Sequence, residues 1–413
     1  MPVHSTTHGP ALTGIQPVSS FAEGLFGHLP RADQRGWAET YLRALLTTPG
    51  KKSVRRLAAA VSASPTACQS LQQFVNASPW DWEPVRRELT RWAEARHPVH
   101  AWTIAPAVLP KRGEHSVGVH HRFVPGAGRT LNCQLGVGLF LSGPGVHTPV
   151  DWRLFLPGPW CDDPALRRRT RVPESAGHRP LWADALDMVT AMASRTSLDP
   201  APVVADMSEL PDVGPLIAGL ERQGRDFVVA VRDTMSVIAG SHLAARHSPE
   251  PATALSVRDF LSSNRTRHPH TAVVTGPDGQ PQPTWIVSGL ARLPGARPGS
   301  GSGSGSGSGE PHHTYRLFAE RPVSGCRPSQ VWITNMPHRR MDELLALTRL
   351  HTGTRAVRRS LEVDFGLRDF EGRSFPGWHH HMTLVSAAYA YSRLARPTAL
   401  AERLAAVPAQ RSA

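Results

Sequence analysis

Lysine is nearly absent from this chain. It stands only at Lys51, Lys52 and Lys111, and every other side chain with a permanent positive charge is arginine. Cysteine is scarce as well. Cys68, Cys133, Cys161 and Cys326 lie far apart and form no CxxC pair, so neither a zinc ribbon nor a disulfide framework is expected. No apolar run approaches the roughly eighteen residues that cross a bilayer, and no membrane partner is expected. The first residues show no charged region leading into an apolar one, so the cytoplasm is the expected compartment. A P-loop, a GxGxxG turn after a strand, a GxSxG elbow and a Cys–His nucleophile pattern are all missing, which sets aside the nucleotide-binding and acyl-transfer classes they mark.

What is present is positive charge. A formal charge of +13 over 413 residues favours polyanionic partners, nucleic acid first among them. The abundance of Arg, Ala, Pro and Gly is also what a GC-rich coding sequence of the actinobacterial kind produces, so part of the arginine count carries no functional message. The length allows two or three domains.

Residues 1–17 are polar and rich in Pro, Gly and His, and read as a disordered tail. Residues 18–98 read as a helical, DNA-binding-like domain. Within it, Val54–Val61 and Ala67–Val75 are two short helices about a Ser62-Ala63-Ser64-Pro65 turn, with Thr66 as the expected cap of the second. That spacing fits a helix-turn-helix and equally an ordinary helical hairpin. From residue 99 the period changes to that of strands, at 101–105, 115–123, 131–141 and 149–156. A helix over 181–193, a strand at Pro202–Asp206, a helix near 212–223 and a strand at Phe227–Val231 follow. This order predicts an α/β fold with an RNase H-like mixed-sheet core, whose first part spans 99–238. Residues 239–335 read as an inserted β-rich segment with a Gly/Ser linker at 299–309, natural or engineered. Residues 336–398 supply the core's C-terminal helices, a long one from Met341 to about Leu361 and a closing one from about His380 to Ala395, and 399–413 form a tail.

Several stretches together resemble the DDE superfamily transposases of bacterial insertion sequences, of the actinobacterial type. They are "LQQFVNASPWDWEPVRREL", "LPKRGEHSVGVHHRF", "NCQLGVGLFLSG", "PVDWRLFLP", "VVAD" and "DFEGRSFPGWHHHMTLVSAAYAY", in the family's order. The resemblance implies a site of three carboxylates holding two Mg²⁺ ions, which activate the attacking hydroxyl and stabilise the leaving oxygen. Matched residue by residue, the first acid falls at Ala105-Pro106, where no carboxylate stands. The second is Asp206. The family's Arg-x-x-x-Glu-x-x-x-x-x-x-Lys series places the third acid at Arg355 and the lysine at Glu362, so both charges are inverted.

The resemblance therefore implies a degenerate catalytic site with Asp206 as a remnant, and a transposase-like DNA-binding protein that does not cut, a domesticated regulator. Glu371 is the substitute acid considered first, with Asp151, Glu209 and Asp364 as others. Lys51, Lys52, Arg55, Arg56, Lys111, Arg112, Arg358, Arg359 and Arg373 are the expected phosphate contacts, and Gln69, Gln72 and Gln73 the candidates for reading base edges. Double-stranded DNA is the expected partner, a homodimer an admissible assembly, and the nucleoid the expected place within the cytoplasm. No metal site and no cofactor are expected. The consecutive His379-His380-His381 point in different directions on a helix and suit a packed helix start or phosphate contact better than one metal. Two other readings stay open. One is an active transposase or nuclease with a rearranged acid set, which would take Mg²⁺. The other is a fold recruited for a small-molecule or protein-binding role.

Overall fold

Phe227–Val231 is an unbroken apolar run, the pattern of a strand covered on both faces, and all five residues are buried in the middle of a sheet. The computed structural model describes residues 16–210, 212–239, 254–263, 270–275, 280–294, 313–321 and 330–395. The Gly/Ser run at 299–309, nearly all of the 1–17 tail and the 399–413 tail lie outside them.

Five helices come first: α1 (Val18–Phe26), α2 (Ala32–Thr47), α3 (Val54–Val61), α4 (Ala67–Asn76) and α5 (Trp82–Glu94). Asp81 caps α5 by accepting from the Glu83 N–H at 2.9 Å. The cap expected at Thr66 does not form. Thr66 is helical in φ/ψ and gives no side-chain bond to the helix, because its hydroxyl pairs with Ser64 Oγ at 2.9 Å.

The sheet begins with β1 (Ala101–Pro110), β2 (His120–Val124), β3 (Arg129–Gly143) and β4 (Val146–Leu154). Two short helices, α6 (Gly158–Asp162) and α7 (Pro164–Thr170), and a longer one, α8 (Leu181–Arg195), follow. Then come β5 (Val203–Asp206), α9 (Gly214–Arg222), β6 (Phe227–Val231) and β7 (Ser236–Ala239). β3 pairs with β4 on one side and β1 on the other, both antiparallel. β1 runs parallel to β5, and β5 parallel to β6. The order β4-β3-β1-β5-β6 is that of the expected RNase H-like core.

Two strand limits differ from expectation. β1 does not stop at Ala105 but runs through two prolines to Pro110, paired with β3 as far as Cys133. The parallel ladder to β5 has ended at Ile104, so Pro106 sits where β1 has a partner on one side only, a place that tolerates a missing N–H. The run from 115 is strand only from His120. Val117 is instead held by bonds outside the ladder, to Gln134 Nε2 at 2.7 Å through its carbonyl and to Arg373 O at 3.1 Å through its N–H.

The rest of the chain is β8 (Ala254–Ser256), α10 (Val257–Ser263), β9 (His270–Thr275), β10 (Pro281–Arg292), β11 (Tyr315–Arg321), β12 (Val331–Thr334), α11 (Met341–Val363) and α12 (Phe375–Leu394). The inserted strands join the core sheet edge to edge: β12 pairs antiparallel with β6, β11 with β12, and β10 with β11. The described residues thus form one sheet of twelve strands. The fold is mixed α/β, with a helical N-terminal part and an inserted β-rich segment.

α12 explains why the parts hold together. From Phe375 to Ala390 every residue but Pro376 is buried, as expected of a helix surrounded by protein on all sides. It packs against α2, α4 and α5 and against β4, so N-terminal helices and sheet share one apolar core through it. Trp378, Met382, Leu384 and Val385 are fully buried there, each worth about 1.5–3 kcal/mol. Ser374 caps the helix start and Pro376 occupies its first turn. Among the described residues no helix is long and apolar enough to cross a membrane.

Candidate functional site

The three positions assigned to carboxylates come from β1, β5 and α11, and the fold brings them together. The parallel register sets Thr103 beside Val204 and Ile104 beside Ala205, so Ala105 is level with Asp206 on the next strand. Thr103 Oγ1 bonds Thr354 Oγ1 on α11 at 2.7 Å. Side chains alternate along a strand, so Ala105 and Asp206 face α11 too. Along α11, His351, Arg355, Arg358 and Glu362 recur at helical spacing and line the same cleft, of about 620 Å³, with Ala105, Pro106, Asp206, Ser208, Glu209, Arg359 and Arg368.

Asp206 is 8% exposed and fully engaged. Its Oδ1 accepts from Ser208 Oγ at 2.6 Å and from the Ser208 N–H at 3.2 Å, and its Oδ2 pairs with the Arg355 guanidinium. Burial pushes the carboxyl up, but the Ser208 bonds and nearby positive charge outweigh it and hold it below the ordinary carboxylate value. Arg355 itself is 60% exposed. Arg358 donates to the Pro106 carbonyl at 2.8 Å, and Arg368 pairs with Glu362. Glu209 lies 3.7 Å from Arg122. His351 is buried at the back of the cleft, and burial pushes its imidazole down to about 4.

This donor set does not fit Mg²⁺. A hard divalent ion needs several open oxygen ligands. Here Asp206, Glu209 and Glu362 each lie against an arginine, Ala105 presents only a methyl group, and the Arg355 guanidinium stands beside Asp206. Among the described residues no group of three or more His, Cys, Asp or Glu is placed to hold a metal ion.

The model of the DDE superfamily endonucleases matches residues 24–272, more than half of the chain. The chain belongs to that superfamily. The match covers β1 and β5 but ends before α11. Among solved structures, the piggyBac transposase synaptic complex with hairpin DNA aligns over 95% of this chain and 79% of that chain, at 10% identity and a TM-score of 0.40. A comparison with curated proteins found no match.

The substitute acids scatter. Glu371 does not line the cleft; it is exposed and faces Lys51 at 4.0 Å. Asp151 is buried between Arg86 and Arg195. Asp364 accepts from Ser360 Oγ at 2.8 Å. Only Glu209 joins Asp206.

The expected phosphate contacts divide. Lys51, Arg55, Arg56, Arg112, Arg359 and Arg373 are exposed. Lys52 is buried, and its ammonium donates to the Leu45 and Thr48 carbonyls. Its stem lies against Gly366, at φ +75°, where a Cβ would come within 2.4 Å of Lys52 Cγ. Lys111 donates to Phe370 O at 2.8 Å, and burial pushes its ammonium down to about 8. Arg358 is half-buried on Pro106. These three cations are engaged by backbone carbonyls, which meet a charge that burial withdraws from water.

The chain's three lysines all meet the 366–371 loop. Gln69, Gln72 and Gln73 are exposed on α4. The histidine triplet is a packed helix start: His379 stacks on Trp82 at 4.6 Å, His380 stacks on Trp80 at 3.8 Å, and His381 donates from Nε2 to Gly366 O at 2.9 Å.

The sequence reading passed over Ser208, His351 and Arg368. Ser208 had a signal, since an Asp bonding the residue two positions on is a common turn. The polar stripe 351, 355, 358, 362 was equally visible as one face of a helix. Arg368 follows the helix and had none.

Proposed function

We propose that this chain is a transposase-derived DNA-binding protein that no longer cuts DNA. The observation that carries the reading is the Arg355–Asp206 ion pair beside Ala105. An arginine where a metal-binding carboxylate is expected repels Mg²⁺ and also occupies the remaining acid. A basic face supports the binding half of the reading. Lys51 meets Glu371, Lys111 holds Phe370, and Val117 bonds Arg373, so the segments carrying Lys51, Arg112 and Arg373 touch one another. Arg55 and Arg56 are exposed on α3, and Gln69, Gln72 and Gln73 on α4. Residues 18–98 would supply DNA contact and the 99–238 and 336–398 segments the retired core, with a homodimer on the nucleoid as the expected form.

The test is a gel-shift series against salt, paired with a nicking assay in Mg²⁺ and in Mn²⁺. Binding that weakens steeply with salt, without cleavage in either metal, is expected. No binding to any duplex at low salt would refute the first half, and metal-dependent nicking the second.

A further inference from the structure

The cleft carries more positive charge than it needs. Four arginines line it (Arg355, Arg358, Arg359 and Arg368) against the carboxylates Asp206, Glu209 and Glu362. Arg368 and Glu362 answer each other, and Arg358 is spent on the Pro106 carbonyl. Glu209 leans on Arg122, from β2. Arg359 is exposed and has no ion pair among the described residues. Arg355 touches Asp206 through one nitrogen, leaving most of its five N–H donors to the open side. Opposite them, Ala105 presents a methyl group. Arg355 and Arg359 thus leave donors open to the cleft, while Glu209, 52% exposed and 3.7 Å from Arg122, is its one open carboxylate.

Guanidinium forks of this kind match phosphate oxygens in both charge and geometry. We propose that the cleft binds a phosphate group through Arg355 and Arg359 without any metal ion, and that Asp206 competes with the phosphate for Arg355. The proposal rests on reading this cleft as a retired metal site, but not on DNA binding by the basic face. The phosphate can belong to a DNA strand or to a small phosphorylated molecule.

The competition gives a test with an unusual sign. In a metal-dependent nuclease, Asp206→Asn removes a ligand and weakens the site. Here the same change keeps an acceptor for Ser208, removes the charge that holds Arg355, and frees the guanidinium. Binding is measured in EDTA in two arms, a labelled duplex oligonucleotide and inorganic pyrophosphate. Asp206→Asn is expected to tighten binding by about fivefold in at least one arm and Arg359→Ala to weaken it by about the same factor, the range of one charged contact at a partly exposed site. Arg359 is exposed and makes no ion pair among the described residues, so its variant retains the fold.

A response in the oligonucleotide arm identifies a DNA phosphate, and one confined to pyrophosphate identifies a small ligand. Native protein that binds the oligonucleotide with neither variant changing either arm would overturn this inference while leaving DNA binding intact. Pyrophosphate binding without any duplex binding would do the reverse. Phosphate binding that disappears in EDTA, or weakens in Asp206→Asn, also overturns it.

Discussion

Among the described residues two buried aspartates, Asp151 and Asp206, are bound by arginine, and they live differently. Asp151, on β4, is 1% exposed, as is Arg86, and Arg195 is 4% exposed. Its oxygens accept from Arg86 at 2.7 Å, from the Trp152 N–H at 2.7 Å and from Arg195 at 3.0 Å. Arg86 goes on to Thr383 Oγ1 at 2.9 Å and to the Trp152 carbonyl at 3.0 Å. The network thereby ties α5, α8 and α12 to the sheet. Asp206 has one arginine, and that partner lies mostly in water. The same chemistry is a cross-link in the first place and an openable latch in the second. The difference lies in how much water each pair can recover when it parts.

The largest effect that could break this contrast is expected at Arg86. Arg86→Ala leaves Asp151 buried with one partner fewer and should cost about 3–5 kcal/mol in denaturant unfolding. A loss below about 1 kcal/mol would put Asp151 in the same class as Asp206.

Acid should attack the interior next. Burial holds both His147 and His381 down at about 4, below the ordinary 6.5. As pH falls, the unfolded chain takes up these protons first. Stability is therefore full above pH 6.5 and drains between 6.5 and about 4, by about 1.4 kcal/mol per pH unit for each such ring at most. Thermal melts across that range should show the decline, and His147→Gln should flatten it; a flat native profile would contradict the burial argument.

The cleft should be repairable where the interior is not. Ala105→Asp with Arg355→Glu restores two acids beside Asp206. That variant should gain about 2.7 kcal/mol of stability in Mn²⁺ at a hundredfold excess over its dissociation constant. Failure of the refolded variant to respond would mean that these three positions do not converge as described.

The smallest effect belongs to the latch. Asp206→Asn alone should shift stability by less than about 1 kcal/mol, which a melt in high salt and low salt can resolve.

The parts of the fold that the residues announced are those fixed by local pattern. Val203–Asp206 and Phe227–Val231 were legible because buried parallel strands read as short apolar runs. The long helix from Met341 was legible from its period. β1 was not, because two prolines look like a strand end unless the pairing partner is known. The start of α12 at Phe375 was read five residues late, although Ser374 and Pro376 mark it. At the site, Ala105, Asp206 and Arg355 were named from the family resemblance, and the fold sets Ser208 and His351 beside them. Lys52, Lys111 and Arg358, named as phosphate contacts, turn toward the protein for a physical reason. A charge in a sequence looks solvated, and only the fold shows the carbonyls of Leu45, Phe370 and Pro106 waiting for it.

The central claim is that the Asp206 cleft has lost its metal site while keeping the frame around it. Calorimetric titration of Mn²⁺ into the native protein tests it most directly, with Asp206→Ala as the paired control. The account predicts no stoichiometric binding and identical traces for the two proteins. Stoichiometric Mn²⁺ binding to the native chain that disappears in Asp206→Ala would contradict it.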